Sequence, residues 1–262
     1  MAGQASDLPR HCVFLEAFML VKVGGTDVEV RVECVLSAPR FGPLANVFGW
    51  IQALMPLHIR PTLGQGALWG QVLARLLDQF KDTTEYILCT DYDSFWDQRV
   101  VEELIATAMV FQCDAIAPLQ VKREDGRPMF TLLDTLDNPP PNGQTELDMS
   151  WFAQPVQEVD SAHFGCTVIS TKALRRTLKP WFQDQPNEAG DFADGRTDAD
   201  IWFWKQFKRS GNKLYISPRT CIGHGEYVAV WPGQQLQKPV YQYLSDYQAN
   251  GKPKTAWSVP QT

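Results

Sequence analysis

The residues with the most capacity for chemistry lie in Tyr86-Ile87-Leu88-Cys89-Thr90-Asp91-Tyr92-Asp93-Ser94. The apolar run reads as a buried strand, and two aspartates follow it at a spacing of two. Alternate residues of an extended chain point to the same side. Asp91 and Asp93 are therefore expected to project together from the C-terminal end of a core strand, where ligands bind in open α/β sheets. Paired carboxylates there suit a hard divalent cation, Mg2+ or Mn2+, and a hard cation in turn suits a diphosphate. Asp-X-Asp recurs at Asp198-Ala199-Asp200, and about one such pair arises by chance in a chain of this size. A solvated turn is thus the plain alternative for Asp91 and Asp93. The apolar strand directly before them sets the first pair apart from the second.

Composition narrows the classes. A chain of 262 residues makes one large domain or two small ones and is long enough to bury a sizeable core. A net charge of −6 argues against non-specific nucleic-acid binding, which needs basic surface. Six cysteines without a Cys-X-X-Cys pair are expected to be buried free thiols in a reducing compartment. No apolar run approaches the ~20 residues of a membrane helix, and residues 1–10 lack an apolar signal core. A cytoplasmic protein with no membrane span is expected.

The elements that must position the aspartates follow from periodicity. Val28, Val30 and Val32 alternate with charged residues after the Gly24-Gly25 turn, which predicts strands between His11 and Pro39. Helices are expected over Leu44–Leu57, Gly66–Phe80, Asp97–Phe111 and Asp198–Arg209, with one starting at Lys172 and one over Val240–Gln248. Further strands are expected over Ala115–Val121, Ala162–Ser170 and Lys213–Cys221. Asp125-Gly126 signals a hairpin, and Asn138-Pro139-Pro140-Pro141-Asn142-Gly143 a loop or seam. Residues 184–197 read as a second irregular stretch. Alternating strands and helices predict an α/β sheet that is at least partly parallel.

The order of motifs carries more than any one of them. Ser37-Ala38-Pro39-Arg40 is followed by Leu88 to Ser94, His163-Phe164-Gly165-Cys166, Asp198-Ala199-Asp200-Ile201-Trp202-Phe203, then Lys213 to Pro218 with His224. From Glu33 to Gly225 this order resembles a GT-A-fold glycosyltransferase, close to the family 2-like members of bacteria and phages. The resemblance implies a mixed, mostly parallel central sheet flanked by helices in a single domain, 1–262. Its nucleotide-sugar half would span about 33–121, its acceptor half about 145–225, and its tail 226–262. It implies a sugar moved from a UDP-sugar or other nucleotide sugar to the hydroxyl of an unknown acceptor (glycan, protein or small molecule).

The resemblance also implies residue roles. Asp93 and His224 would bind the metal; histidine tilts the choice toward Mn2+ over Mg2+. Asp91 would touch the ribose or reach the metal through water. Ser37, Pro39, Arg40 and Tyr92 would border the nucleotide. Asp200 would be the catalytic base of an inverting enzyme, with Asp198 as runner-up or helix N-cap. The helix dipole would lower the pKa of Asp200, and Trp202 and Trp204 would offset this by desolvation. His163, Gly165 and Trp202 would meet the sugar or acceptor, while core packing is the plain reading of Trp69.

Other readings fit less well. Gly64-Gln65-Gly66-Ala67-Leu68-Trp69-Gly70 has its third glycine one place late for a dinucleotide fingerprint. Cys166 beside His163 lacks an orienting third group for a nucleophile. Two alternatives stay open at this stage: a sugar-phosphate nucleotidyltransferase and a non-catalytic carbohydrate- or protein-binding domain on a decayed scaffold. The first needs a basic glycine-rich triphosphate loop that Ser37 to Gly42 supplies poorly; intact Asp91, Asp93, Asp200 and His224 argue against the second.

Overall fold

The computed structural model describes residues 18–38, 42, 44–123, 126–136, 147–233 and 238–257. Pro39, Arg40, Cys12, Asp125 and the proline-rich stretch 138–143 lie outside the described residues.

The chain opens with an antiparallel hairpin, β1 (Met19–Val23) and β2 (Thr26–Val30), turning at Gly24-Gly25. Then come β3 (Val32–Ser37), α1 (Leu44–Leu54), β4 (Pro61–Gly64), α2 (Trp69–Phe80) and β5 (Tyr86–Thr90). Strands β4, β3 and β5 lie side by side and parallel. The α2 helix starts at Trp69 rather than at the expected Gly66, and Pro61–Gly64 forms a short edge strand. A proline as first residue of an edge strand removes no ladder hydrogen bond.

After β5 come β6 (Ser94–Phe95), α3 (Gln98–Phe111), β7 (Ala115–Leu119), β8 (Phe130–Leu132), α4 (Met149–Ala153), β9 (Gln157–Ala162) and β10 (Cys166–Ser170). Asp97 caps α3, its carboxylate accepting the Val100 N–H at 3.1 Å. The segment expected as one strand over Ala162–Ser170 is two. His163-Phe164-Gly165 separates β9, which pairs with β8 and β11, from β10, which lies between β5 and β7. The chain continues through α5 (Thr171–Arg176), α6 (Ala199–Arg209), β11 (Leu214–Cys221), β12 (Gly223–His224), β13 (Val228–Trp231), β14 (Val240–Tyr243) and α7 (Leu244–Asn250). The helix expected over Val240–Gln248 is half strand: Val240 to Tyr243 pair with Trp231 to Val228 in a ribbon.

The central sheet has eight strands in the order β4-β3-β5-β10-β7-β11-β9-β8. It is mixed. β7 and β11 are parallel, and β9 and β10 run against their neighbours. Helices cover both faces, so side chains of the central strands alternate between two cores. Ile87, Cys89, Ala115, Ala117 and Ile169 join Leu73, Leu77, Phe203, Trp204 and Phe207 on one side. Leu88, Ile116 and Val168 join Val101, Leu104 and Ile105 on the other. Four of the five described cysteines, Cys34, Cys89, Cys113 and Cys166, are buried free thiols. Cys221 departs from the expectation, being exposed on the outer reach of β11. Among the described residues no helix is long and apolar enough to cross a membrane.

Candidate functional site

The sheet delivers Asp91 to the end of β5, but the chain does not stay extended there. Tyr92 and Asp93 form a turn, with the Ser94 N–H donating to the Asp91 carbonyl at 3.2 Å. The two carboxylates therefore take different partners instead of sharing one face by strand alternation. Helix α1 pins this turn. Asn46 Nδ2 donates to the carbonyls of Tyr92 (2.8 Å) and Ser94 (3.0 Å), and Trp50 Nε1 donates to the Ser94 carbonyl (3.0 Å).

The short ladder of β6 and β12 brings His224 beside the turn, with His224 opposite Ser94. Gly225 follows, its N–H donating to the Asp93 carbonyl at 2.6 Å. A Cβ at Gly225 would sit 2.9 Å from that carbonyl oxygen and 2.8 Å from the Phe95 ring, so only glycine permits the approach. Nδ1 of His224 lies 3.0 Å from the Val121 carbonyl. A carbonyl cannot donate, so Nδ1 carries the proton and Nε2 carries the lone pair when the ring is neutral. Nε2 lies 3.6 Å from Asp93 Oδ2. Arg123 Nη1 donates to the same oxygen at 3.1 Å and to the Gly225 carbonyl at 3.2 Å.

These contacts set the charges. Burial pushes the Asp93 pKa up, but His224 and Arg123 outweigh it and hold the carboxylate below its usual range. Asp93 raises His224 above its ordinary value against the opposing effect of burial.

Asp93 and His224 offer a cation one carboxylate oxygen and one imidazole nitrogen. Their separation of 3.6 Å is within reach of two ligands on a single ion, each about 2.1 Å away. The imidazole is already oriented by its outer hydrogen bond to Val121, as in metal-ligating histidines. Among the described residues no group of three or more His, Cys, Asp or Glu is spaced to hold a metal. The pair could supply two of the roughly six positions of such an ion, leaving the others to phosphate oxygens and water. His224→Ala is expected to weaken Mn2+ binding by about 10-fold or more, at least the loss seen on disturbing outer-shell partners. A Mn2+ titration indistinguishable from wild type would return His224 to a purely structural role.

Asp91 faces a different space. Its Oδ1 accepts from Trp69 Nε1 at 3.1 Å, and it lines a cleft of about 560 Å3 with Trp69, His163, Phe164, Phe182 and Asp200. Trp69 packs edge-on against Phe164 and Phe182, with ring centroids 5.4 and 5.3 Å away. Burial raises Asp91 to about 6, the Trp69 hydrogen bond opposing and the charges of Asp93 and Asp200 adding to it. A folded pKa raised above the unfolded one means that the native state holds the proton more tightly. This contribution makes the protein more stable as pH falls from about 6 toward 4 and less stable as pH rises through 6. Asp91→Asn keeps an acceptor for Trp69 and removes the charge. It is expected to raise stability above pH 6 by on the order of 3 kcal/mol and to flatten the gain on acidification. Urea unfolding at pH 5 and pH 7.5 checks this; parallel pH dependence in both proteins would contradict it.

Asp200 stands in the first turn of α6 on the far wall of the same cleft. Burial raises its pKa, against a hydrogen bond from the Ile201 N–H. The expected lowering by the helix dipole is therefore outweighed. Trp202 and Trp204 do not supply that burial from the cleft: neither lines it, and they bond to the carbonyls of Pro180 and Ala162. Asp198 occupies the N-cap position, but its carboxylate pairs with Arg196 at 2.6 Å and makes no cap hydrogen bond. Asp184 caps α6 instead, accepting the Ala199 N–H at 3.0 Å.

The remaining expected residues are placed as follows. His163 is buried, with Nε2 at 2.9 Å from the Pro118 carbonyl and Nδ1 accepting the Gly165 N–H at 3.0 Å. Burial pushes its pKa down to about 4. It lines the cleft as a neutral ring with both nitrogens engaged. Gly165 packs on protein: a Cβ there would come within 2.5 Å of Ser94 Oγ and 2.8 Å of Gln120 Oε1. Ser37 is buried at the end of β3, opposite Gly64. Tyr92 is partly buried within the turn itself. Sequence reasoning missed Trp69 and Arg123 as partners of Asp91 and Asp93.

No protein-family model and no curated protein matches the chain. Among solved structures, A197 from STIV aligns with a TM-score of 0.47 and 13% identity over 74% of this chain and 93% of its own. GalNAc-T7, crystallised with UDP, GalNAc and Mn2+, aligns with a TM-score of 0.42 and 12% identity over 79% of this chain and 44% of its own. S. aureus TarS 1-349 in complex with UDP-GlcNAc aligns with a TM-score of 0.42 and 12% identity over 75% and 58%. The chain thus spans about half the length of these last two structures, and at these values the likenesses assign it no activity.

Proposed function

We propose that this chain is a metal-dependent glycosyltransferase that moves a sugar from a nucleotide-diphosphate sugar to an acceptor hydroxyl. The observation that carries the reading is the placement of two acidic stations beyond the C-terminal end of β5. Asp93 and His224, 3.6 Å apart, would supply two ligands to a cation, and Asp91 with Asp200 lines the adjoining cleft. A bound Mn2+ or Mg2+ would be held by Asp93 and His224 and would neutralise charge on the departing diphosphate as a Lewis acid.

The protein's own residues account for the rest of the chemistry. Asp91, oriented by Trp69, is a hydrogen-bond acceptor for the donor's hydroxyls at the mouth of β5. Asp200 takes the proton from the acceptor hydroxyl as its oxygen attacks the anomeric carbon. Its raised pKa brings the base nearer to working pH, where a general base is most effective. Phe164 and Phe182 make the cleft wall apolar, which restricts water around Asp200. This arrangement favours inversion of the anomeric centre.

Thermal unfolding tests the reading cheaply. A ligand that binds only the folded state stabilises it by about 2.7 kcal/mol at 100 times its Kd. UDP or another nucleoside diphosphate is expected to raise the melting temperature with Mn2+ present and to lose that effect in EDTA. Melting that ignores every nucleoside diphosphate, with and without Mn2+, would remove the proposal.

A further inference from the structure

The Asp93 oxygen nearest His224 already has a cation on it: the guanidinium of Arg123, at 3.1 Å. Arg123 also holds the Gly225 carbonyl, and its Nε lies 4.0 Å from Glu226 Oε2. It follows strand β7 at the start of a turn, and its side chain is 31% exposed. It can therefore swing without disturbing the core. Guanidinium stays charged at all working pH values, so it leaves a carboxylate only by moving. Two positive charges on one carboxylate oxygen repel each other by several kcal/mol at this range, so they compete for it. A diphosphate beside Asp93 offers pairs of charged oxygens that the planar guanidinium fork binds in bidentate fashion.

We propose that Arg123 is a diphosphate-binding residue that latches Asp93 until the nucleotide arrives, so that cation and diphosphate load together. This rests on the reading of Asp93 and His224 as cation ligands. Without nucleotide, Arg123 occupies the oxygen that the cation needs. When a nucleoside diphosphate enters, its phosphate oxygens draw the guanidinium off Asp93, and the freed carboxylate takes the ion. Glu226 and the Gly225 carbonyl remain within reach of the displaced side chain. The latch makes the two ligands strongly cooperative and keeps the empty protein from collecting divalent ions.

The experiment measures Mn2+ binding by the full chain, from the EPR signal of free Mn2+, with and without saturating UDP. Wild type is expected to bind Mn2+ weakly alone and about 10-fold or more tightly with UDP, within the usual range of coupling between sites. Arg123→Gln removes the charge and is expected to bind Mn2+ alone about 10-fold more tightly than wild type. UDP binding should weaken in the same variant. Arg123→Lys keeps the charge, so its Mn2+ binding without UDP should stay as weak as wild type; it also serves if Arg123→Gln does not fold. Folded Arg123→Gln with wild-type Mn2+ affinity, or Arg123→Lys that binds Mn2+ alone far more tightly than wild type, overturns the latch. If wild type still binds Mn2+ with UDP in that case, the cation reading of Asp93 and His224 stands without it. No Mn2+ binding to wild type even with saturating UDP overturns both.

Discussion

Asp93→Ala is expected to weaken donor binding sharply and abolish turnover while leaving the fold in place. In the proposed reading Asp93 is one of two side chains that would hold the cation, and it lies beyond the end of β5, outside both cores. Without its carboxylate the diphosphate loses the metal bridge, and only the Arg123 guanidinium remains near Asp93's place to hold it. Removing several kcal/mol of metal-mediated charge stabilisation corresponds to a loss of about 100-fold or more in nucleotide affinity. The structural cost is small. The ion pair with Arg123 is partly exposed, and pairs of that kind contribute about 1 kcal/mol or less. That is well below the stability of an ordinary domain. Circular dichroism should match wild type while calorimetry with Mn2+ shows UDP binding weakened by about 100-fold or more. Full turnover by Asp93→Ala in the presence of chelator would contradict the assignment.

Asp200→Asn is expected to lower transfer by about 100-fold or more, the usual scale for losing a general base, with nucleotide-sugar binding nearly unchanged. Asp91 is engaged by Trp69, and Asp93 by His224 and Arg123. Asp200 lines the cleft with Asp91, and its carboxylate accepts the Ile201 N–H; Asp184, which also lines the cleft, is taken up in capping α6. Asparagine preserves that bond and the start of α6 and removes the proton acceptor. The split is diagnostic: kcat falls and donor affinity holds. Transfer near the wild-type rate would exclude Asp200 as base and leave Asp198 or a retaining reaction. NMR of the product anomer separates those two.

The sheet core was legible in sequence because its signal is local. Ile87 and Leu88 are both apolar since both faces of β5 are covered. Val72, Leu73, Leu76 and Leu77 mark the buried stripe of α2 at helical spacing. β4 was missed because four residues bounded by proline and glycine carry no period. Val240 to Tyr243 were assigned to helix because their β partner, Val228 to Trp231, lies across a connection that no local pattern reveals.

The site divides the same way. Asp91 and Asp93 were picked out as candidates by the strand before them, and His224 by its place in the motif order. Trp69 did not, since a tryptophan on an apolar helix reads as core; only the fold brings its indole N–H across 22 residues to Asp91. Arg123 looks like ordinary turn surface until the β7 turn sets it on Asp93, 30 residues earlier. Asp184, which caps α6, was likewise hidden in a stretch with no periodicity.

Incubation with a panel of nucleotide sugars and Mn2+, with water or a sugar mixture as acceptor and released nucleoside diphosphate as the readout, tests the central claim most directly. The account predicts release from one nucleotide sugar well above the others, dependent on Mn2+ and lost in EDTA and in Asp93→Ala. Release from none of them, or release that neither EDTA nor Asp93→Ala diminishes, would contradict it.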